Sequence, residues 1–350
     1  MDFASPPCVI DALSSYVRRA QFGYTESDAS YRQSIVRWFE TEHQWTIHPE
    51  WITVTPGVVF ALATAVKAFS EVGDDILILT PVYYPFFDVI QDNHRNVVSF
   101  EWTNDAGTYT LDFEGLRQCF ENHSLKMMLL CNPHNPLSRV LRPSELEAIV
   151  SLAKQYGVIV VSDEIHMDLV FSGQSHYPLA KVDETFDHWI ICTSPSKTFN
   201  LAAFQISNIM IKHPDIRQRF RQEVQRVGYS QPNGAGLIAC ESVYENGAPW
   251  LKELKDYLYG NYQYLCRFLS SRCPCLIITP LEATYLVWID FRALAISDLN
   301  HFILHQAKLW LDDGPLFGEG GSGFQRINIA CPRATLTQAL NQLCDALDRL

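Results

Sequence analysis

A lysine among small hydroxyl residues is the first feature of this chain that could do chemistry. Lys197 lies in the segment Thr193 to Asn200 (TSPSKTFN), which follows the apolar run from Trp189 to Cys192. That run predicts a buried strand, with the lysine near its end. A desolvated ammonium loses its charge readily, so a buried lysine can form a Schiff base with an aldehyde cofactor such as pyridoxal phosphate. The alternative is a strand-end lysine that reaches solvent.

Such chemistry also needs an acid and a phosphate cradle. Asp163 follows a β-branched run and is expected at the carboxyl edge of a central strand, where it could keep a pyridine nitrogen protonated. Ser194 and Ser196 would face the phosphate, and the free amides of a helix starting at Val58 could bind the same anion. A turn or helix cap is the alternative for Asp163, and many such strand–helix turns bind nothing.

Three further side chains could orient a cofactor or bind a substrate carboxylate. Asn135 stands in the Pro-rich turn NPHNP, and Tyr83 follows Thr80-Pro81 and could stack on a ring. Arg326 lies in the alternating segment FQRINI and offers the planar fork that binds a carboxylate through two hydrogen bonds. Each also has a purely structural alternative, which for Arg326 is a surface arginine.

The elements that must position these residues follow from the hydrophobic pattern. Short apolar runs alternate with amphipathic stretches from Trp51 onward, which predicts βα units and a mainly parallel sheet. Strands are expected at 52–54, 75–79, 97–102, 126–131, 158–161, 189–192 and 205–211. Helices are expected at 58–69, 82–91, 112–121, 144–156, 215–227 and 237–244. Ser144 with Glu147 predicts a capping box at the start of the fourth of these helices.

The two ends of the chain predict a smaller layer of helices and strands. Helices are expected at 8–19 and 30–41, and a long helix over 249–271 would link two domains. Strands at 276–279, 285–289 and 324–329 alternate with helices at 297–310 and 335–350. We therefore expect an α/β protein with a large domain over 30–248 and a small α+β domain formed by 1–29 and 249–350.

The composition indicates which class of molecule the protein binds and where it is located. The net charge is -12 and the pI about 5.3, which favours a small-molecule substrate over nucleic acid or an anionic membrane. No apolar run approaches the length of a membrane span, and no apolar leader opens the sequence. The 10 cysteines are spread through predicted strands and helices, which favours a reduced cytoplasmic location. Cys273-Pro274-Cys275 is too isolated to predict a metal site.

One segment imitates a nucleotide-binding motif. The run Gly318 to Gly323 (GEGGSG) satisfies the pattern G-x-G-x-x-G. That pattern functions between a strand and a following helix, whereas this run precedes the strand predicted at Phe324. We therefore expect a glycine loop at the mouth of the active site.

Eight segments, in this order, together resemble one enzyme family. They are MDFASPPCVIDAL, FGYT, LTPVYYPFF, LLCNPHNPLSRV, VVSDEIHMDLVF, SPSKTFN, ATYLVWID and GFQRINIACPR. Over nearly its whole length the chain resembles the fold-type I pyridoxal-phosphate enzymes, and more narrowly the cystathionine β-lyase (MalY/PatB-type carbon–sulfur lyase) branch of the class I/II aminotransferases. This resemblance implies an aspartate-aminotransferase-like fold and a homodimer with shared active sites.

The resemblance also implies roles for individual residues. Lys197 resembles the lysine that binds the cofactor and acts in catalysis, Asp163 the partner of the pyridine nitrogen, and Arg326 the anchor of the substrate α-carboxylate. The other implied ligands are Asn135 at the ring hydroxyl and the carboxylate, Tyr83 stacked on the ring, His166 near the ring hydroxyl, the amides of Val58 and Val59 with Ser194 and Ser196 around the phosphate, and Tyr24 reaching the phosphate of the neighbouring subunit.

The implied reaction is the cleavage of cystathionine or another S-substituted L-cysteine to a thiol, pyruvate and ammonia. An aminotransferase is the first alternative, and a catalytically impaired paralogue is the second. Three departures from the family motivate the second alternative or affect the site. Met1 is the methionine of the MDF motif, which the family usually precedes with a further segment, Leu137-Ser138 replace a small hydroxyl residue and a glycine, and Ala203 replaces another glycine.

Overall fold

Helices and strands alternate along most of the chain in a computed structural model, which describes residues 1–171 and 173–350. The helices are α1 (Pro7–Arg18), α2 (Ala29–His43), α3 (Val58–Phe69), α4 (Pro85–Gln91), α5 (Phe113–Asn122), α6 (Pro143–Tyr156), α7 (Pro195–Thr198), α8 (Pro214–Arg226), α9 (Gly234–Asn246), α10 (Ala248–Arg272), α11 (Leu299–His301) and α12 (Arg333–Leu347). The strands are β1 (Ile52–Thr55), β2 (Asp75–Thr80), β3 (Asn96–Glu101), β4 (Thr103–Asp105), β5 (Thr108–Thr110), β6 (Leu125–Cys131), β7 (Ile159–Asp163), β8 (Trp189–Thr193), β9 (Ser207–Met210), β10 (Ile277–Ile278), β11 (Leu286–Asp290), β12 (Asp312–Asp313) and β13 (Phe324–Asn328).

Seven of the strands form one sheet in the order β1-β9-β8-β7-β6-β2-β3. The strands β8, β7, β6, β2 and β3 pair parallel to one another, whereas β9 pairs antiparallel with both β8 and β1. Parallel strands need crossover connections, and the intervening helices supply them. The α/β class and the mainly parallel sheet predicted from the sequence are confirmed.

Different helices cover the two faces of this sheet. Along β2, Ile76 and Ile78 pack with α3, α4 and α8, whereas Leu77 and Leu79 pack on the other face with α2, α6 and α9. Successive side chains of a strand point to opposite faces, so a strand buried on both faces is apolar at every position. Polar side chains are therefore placed at the strand ends, where ligands bind in open α/β sheets.

A second, antiparallel sheet lies in the C-terminal part of the chain, in the order β10-β11-β13-β12. Its register sets Arg326 of β13 between Trp288 of β11 and Asp312 of β12. Helix α12 packs on the long helix α10 in the same part of the chain. The small α+β layer predicted from the sequence thus presents Arg326 from one of its inner strands.

The predicted domain boundaries stay a prediction. The seven-stranded sheet falls within 30–248 and the four-stranded sheet within 249–350. The first residues contact both parts, since α1 packs on α9 while the ring of Phe3 meets that of Tyr257 in α10 at a centroid distance of 5.4 Å.

Four helices, α1, α4, α6 and α8, begin at a proline rather than where the sequence pattern places them. The capping box predicted from Ser144 and Glu147 is wrong, because α6 begins at Pro143 and the N–H of Arg142 donates to Glu145 Oε2 at 2.8 Å. Helix α4, predicted from residue 82, begins at Pro85. Proline suits the first helical position because the N–H that it lacks would have no intrahelical partner there.

The helix predicted over 297–310 is wrong in its second half. The α-helical turn Leu299–His301 passes into a π-helical segment, Phe302–Gln306, and Lys308 has a left-handed φ of 56°. The chain then forms β12, which the sequence does not predict, because two residues carry no alternation signal. The glycine run Gly318 to Gly323 leads into strand β13, as expected.

Candidate active site

Strands β1, β2, β6, β7 and β8 end around one cavity of about 570 Å³. Ten of the eleven residues proposed from the sequence line it, and they are Val58, Val59, Tyr83, Asn135, Asp163, His166, Ser194, Ser196, Lys197 and Arg326. The exception is Tyr24, which is 93% exposed on the same subunit. The carboxyl ends of the parallel strands and the small layer together therefore bring the predicted residues to one place.

Lys197 lies on α7, a single turn that follows β8. Ser194 secures the start of the turn, since its Oγ accepts the N–H of Ser196 at 3.1 Å and donates to the carbonyl of Ile206 at 2.6 Å. Burial lowers the pKa of Lys197, the charge of Asp163 opposes that shift, and the charge of Arg326 adds to it. A lowered pKa increases the fraction of neutral amine, which is the nucleophilic and basic form.

Asp163 ends β7 between Cys131 of β6 and Cys192 of β8. It is 3% exposed, and its Oδ1 accepts the N–H of Ile165 at 3.1 Å. Burial raises the pKa of Asp163 to about 7, although the Ile165 bond and the charge of Lys197 lower it. A buried carboxylate is stable as an anion only with a cationic partner, so the site suits a ligand that brings a protonated nitrogen to Asp163.

His166 contributes a neutral ring to the same cavity. Burial lowers the pKa of His166 to about 3, and the charges of Lys197 and Arg326 lower it further. Its ring lies against that of Tyr285, with centroids 6.0 Å apart. The buried Nδ1 of His166 has no hydrogen-bond partner within residues 1–171 and 173–350, so a polar ligand atom could satisfy it.

Arg326 is held on two sides. Its Nη1 donates to Asn135 Oδ1 at 2.7 Å, while Nε and Nη2 donate to Asp312 Oδ2 at 3.2 and 2.5 Å. Its Cζ lies 4.8 Å from the ring centroid of Phe317. A guanidinium has five N–H donors, so three occupied donors leave two, and two are what a bidentate carboxylate accepts.

Helix α3 presents its amino end to the cavity. Its N-cap, Gly57, has φ 115°, in a region that favours glycine, and its N–H donates to Ser207 Oγ at 3.1 Å. Val58 and Val59 occupy the first two helical positions, whose N–H groups lack intrahelical acceptors. These amides and the helix dipole make the position suitable for a phosphate.

Tyr83 is joined to the turn that carries Asn135. Its N–H donates to the carbonyl of Asn135 at 3.0 Å, and burial raises the pKa of Tyr83 to about 12. The phenol is therefore protonated at neutral pH, and its ring forms part of the cavity wall.

Ser138, which replaces the family's glycine, adopts a left-handed φ of 55°. Its hydroxyl donates to the carbonyl of Leu286 and lies 2.8 Å from Thr284 Oγ1. Such bonds offset the cost of a left-handed serine. The neighbouring Leu137 is fully buried, and Asn135 still lines the cavity.

Comparison with known proteins identifies the family. Residues 1–343 match the family model for class I and II aminotransferases. The chain belongs to this aminotransferase family. Cystathionine beta-lyase PatB of Bacillus subtilis (strain 168) is 38% identical over 350 residues, covering 99% of this chain and 90% of PatB. Protein MalY of Escherichia coli (strain K12) is 34% identical over 351 residues, covering 99% of this chain and 90% of MalY.

A solved structure extends the likeness to three dimensions. Cystalysin from Treponema denticola, whose crystal structure contains pyridoxal 5'-phosphate, superposes with a TM-score of 0.97 at 37% identity. The match covers 100% of this chain and 89% of cystalysin. The resemblance to fold-type I enzymes and to the carbon–sulfur lyase branch, stated from sequence segments, is confirmed.

Tyr285, Cys131 and Asp312 are among the residues around the site of this aminotransferase-family protein that were not identified from the sequence. Tyr285 and Cys131 line the cavity, and Asp312 accepts hydrogen bonds from Nε and Nη2 of Arg326. Tyr285 and Cys131 lie at or next to strand ends, within segments that resemble the family. Their position at those strand ends was the signal that could have identified them. Asp312 had no such signal, because its pairing with Arg326 depends on the register of β12 and β13.

The part of the chain that the structure describes contains no helix long and apolar enough to cross a membrane. Among the same residues, no group of three or more His, Cys, Asp or Glu side chains could hold a metal ion.

Proposed function

We propose that the protein is a pyridoxal-phosphate-dependent carbon–sulfur β-lyase. It cleaves cystathionine or another S-substituted L-cysteine to a thiol, pyruvate and ammonia. The observation that carries the proposal is a single cavity lined by a buried lysine, a buried carboxylate without a cationic hydrogen-bond partner among the described residues, and a guanidinium with two free donors. The relatives PatB and MalY, named above, support the lyase branch.

The residues present fit pyridoxal phosphate. Lys197 would attach to its aldehyde, Asp163 would face its pyridine nitrogen, and the unpartnered His166 Nδ1 lies on the wall of the same cavity. The α3 amides with Ser196 would hold the phosphate. Ser194 lines the same wall, but its proton is already donated to Ile206, so we assign Ser194 to positioning the turn more than to the phosphate.

When bound, pyridoxal phosphate supplies an electron sink for the electron pair left at the substrate Cα. The residues of the chain do the rest. Asp163 would hold a proton on the ring nitrogen, because a protonated nitrogen is the cation that its buried carboxylate needs. Once the substrate amino group has displaced it from the aldehyde carbon, Lys197 Nζ would accept the Cα proton, since its lowered pKa makes the neutral amine available.

Arg326 and Asn135 orient the substrate. The two free N–H groups of Arg326 bind the α-carboxylate, while Asn135 fixes the guanidinium from the large sheet. With Cα deprotonated, the Cβ–S bond breaks and sulfur leaves with the electron pair as a thiolate. Addition of one water molecule then releases pyruvate and ammonia, which balances the reaction.

We also propose a homodimer in which Tyr24 reaches the phosphate site of the second subunit. On a single chain Tyr24 is exposed and does not line the cavity, and apolar side chains of the same region, Ile10, Val17 and Phe22, are also exposed. A second copy would cover them. Sedimentation or light scattering that shows a monomer which still binds the cofactor normally would contradict this arrangement.

The cytoplasm is the location we propose. All ten cysteines are free thiols, and six of them are buried in the core formed by the helices and strands. Free thiols of this number are typical of a reducing compartment. Fractionation of the native host cell, with the protein recovered outside the cytoplasm, would contradict the proposal.

The decisive test is an assay of purified protein loaded with pyridoxal phosphate. L-Cystathionine and a set of S-alkyl cysteines would be supplied without any oxo acid, and thiol, pyruvate and ammonia would be measured. We expect the three products in equal amounts. Conversion that requires an added oxo-acid acceptor would instead identify an aminotransferase, and cofactor binding without any conversion would indicate an impaired paralogue.

A further inference from the structure

The turn that carries Lys197 is too short to hold its own orientation. Helix α7 has four residues, and an isolated helix of that length is unstable in water. Ser194 secures its start, as described above. Thr198 secures its end, because the fully buried Oγ1 donates to Asp168 Oδ2 at 2.7 Å. Thr198 follows Lys197 directly, so this bond fixes the backbone next to the lysine.

Asp168 is itself fixed by helix α2. Its Oδ1 accepts the indole N–H of Trp38 at 3.1 Å and lies 2.8 Å from His43 Nε2. One carboxylate therefore joins α2, through Oδ1, to the lysine turn, through Oδ2. Asp168 is 7% exposed and lies outside the set of residues that line the cavity.

The hydrogen bonds that Asp168 accepts from α2 and from Thr198 are strengthened by its negative charge. Burial by itself would raise the pKa of Asp168, but His43, Thr198 and Trp38 together hold that pKa below its ordinary value. The carboxylate is thus ionised at neutral pH. Hydrogen bonds to an ionised acceptor are shorter and roughly twice as strong as neutral ones.

We propose that Asp168 is a positioning residue for Lys197. It holds Thr198, and through Thr198 it sets the direction from which the lysine side chain enters the cavity. This inference rests on the proposed function, because it concerns the lysine that would bind pyridoxal phosphate. Asp168 belongs to the segment DEIHMD that also supplies Asp163 and His166, so one loop places both the cofactor ligands and the support of the lysine.

A role in folding alone must be distinguished from positioning. Trp38 also packs on Phe199 and Tyr244, with ring centroids 5.6 and 5.2 Å apart, so the region around Asp168 is part of the core. Loss of thermal stability in a variant would therefore decide nothing. The readouts must report on the cofactor at Lys197.

The test compares Thr198→Val with Thr198→Ser and with the control Thr64→Val. Valine keeps the shape of Thr198 but removes the donor to Asp168, and serine keeps the donor. Thr64 is also buried, but its hydroxyl bonds only the carbonyl of Phe60 in its own helix. For each protein, the equilibrium Kd for pyridoxal phosphate, the visible circular dichroism of the bound cofactor and the turnover would be measured.

We expect Thr198→Val to raise the Kd for pyridoxal phosphate about tenfold, to weaken the visible dichroism and to lower turnover about tenfold or more, since small misplacements of a reacting group are costly. Thr198→Ser and Thr64→Val should match the parent in all three. A Thr198→Val protein with the parent's Kd, dichroism and turnover would overturn the proposal, whatever its Tm.

If Thr198→Val does not fold, Thr198→Ala removes the same donor without adding volume, and the same expectations and the same overturning result apply to it.

Failure of the proposed function and failure of this inference give different results. A parent protein that binds no pyridoxal phosphate would overturn the proposed function and this inference with it. A parent that binds and turns over while both variants behave as the parent would overturn the inference alone.

Discussion

Arg326 Nη1 and Asn135 Oδ1 lie 2.7 Å apart, and this hydrogen bond joins the four-stranded sheet to the seven-stranded sheet. Asn135 belongs to the turn after β6 of the seven-stranded sheet, whereas Arg326 belongs to β13 of the four-stranded sheet. A substrate bound by both residues would therefore contact both parts of the chain. The orientation of Arg326, and not only its charge, should matter for the reaction.

Arg326→Lys tests that statement directly. Lysine keeps the charge but cannot form two parallel hydrogen bonds to a carboxylate. We expect KM for amino-acid substrates to rise and kcat/KM to fall about tenfold to a hundredfold, with an unchanged Kd for pyridoxal phosphate. Steady-state kinetics and cofactor titration measure both quantities.

The control for this variant is Arg272→Lys. Arg272 also pairs with carboxylates, those of Asp345 and Asp348, but at an exposed position between α10 and α12. Its replacement should leave the kinetics unchanged. Parent-like kinetics of Arg326→Lys would mean that another group anchors the carboxylate.

Borohydride reduction tests the assignment of Lys197. Because burial lowers its pKa and it lines the cavity, we expect reduction of the protein loaded with pyridoxal phosphate to leave the cofactor covalently attached to Lys197. Peptide mapping by mass spectrometry identifies the attachment site. In Lys197→Ala the adduct should disappear.

Lys255 provides the matched control. Burial also lowers its pKa, but it lies on α10 outside the cavity, near Glu42 and Asp256. Lys255→Ala should therefore give the same adduct as the parent. An adduct mapped to any lysine other than Lys197 would reject the assignment.

The sequence predicted which residues meet at the cavity where strand ends determine their position. Asp163 and Lys197 follow apolar runs that could only be buried strands, and parallel strands end at one edge of the sheet. Asn135 follows β6 and Tyr83 follows β2, so both residues also lie at this edge of the sheet. These contacts did not depend on details of register, and the seven-stranded sheet with its covering helices could be anticipated with strand ends shifted by only one or two residues.

The parts that the sequence did not predict depend on tertiary pairing. Asp312 meets Arg326 only because a two-residue strand pairs with β13, and so short a strand has no periodic signal. Asp168 was not singled out, since its partners Trp38, His43 and Thr198 come from distant parts of the chain. The helix predicted over 297–310 was wrong because apolar spacing alone does not reveal where packing ends a helix.

Asp312→Ala is expected to loosen the anchor without touching the cavity. The side chain of Asp312 is 38% exposed and accepts hydrogen bonds from Nε and Nη2 of Arg326. Without it the guanidinium can rotate, and we expect KM to rise about threefold to tenfold while the Kd for pyridoxal phosphate stays constant. Asp312→Asn keeps one acceptor oxygen and should restore most of the loss.

A decrease in KM for Asp312→Ala, instead of the expected increase, would contradict this prediction. Removing an acid next to Arg326 also removes a charge that repels a substrate carboxylate, which by itself would lower KM. Because Asp312 is partly exposed, solvent screens that repulsion, and we expect loss of orientation to dominate. A KM for Asp312→Ala below that of the parent would show that the charge of Asp312 matters more than its hydrogen bonds.

Asp163→Asn should have opposite effects on the catalytic activity and on the stability of the cofactor-free protein. With the cofactor bound, asparagine cannot hold a proton on the ring nitrogen, so turnover should fall at least a hundredfold. Without the cofactor, the ionised carboxylate lowers the free energy of unfolding, because burial raises its pKa to about 7 in the folded state, above the ordinary value of 3.8. Its charged form therefore destabilises the folded protein above pH 7.

The sign of the pH dependence follows from proton binding. Between about pH 4 and pH 7 the folded state holds a proton on Asp163 that the unfolded state has released, so this residue's contribution to the stability of the cofactor-free protein rises as pH falls through that window. Asparagine removes this dependence. At pH 8 the cofactor-free Asp163→Asn protein should be more stable than the parent, by roughly 2–4 kcal/mol at about 1.4 kcal/mol per pKa unit, and the difference should shrink towards pH 4. Denaturant unfolding of both cofactor-free proteins at several pH values measures it, and an asparagine variant less stable than the parent at pH 8 would mean that Asp163 supports the fold as an ionised cap.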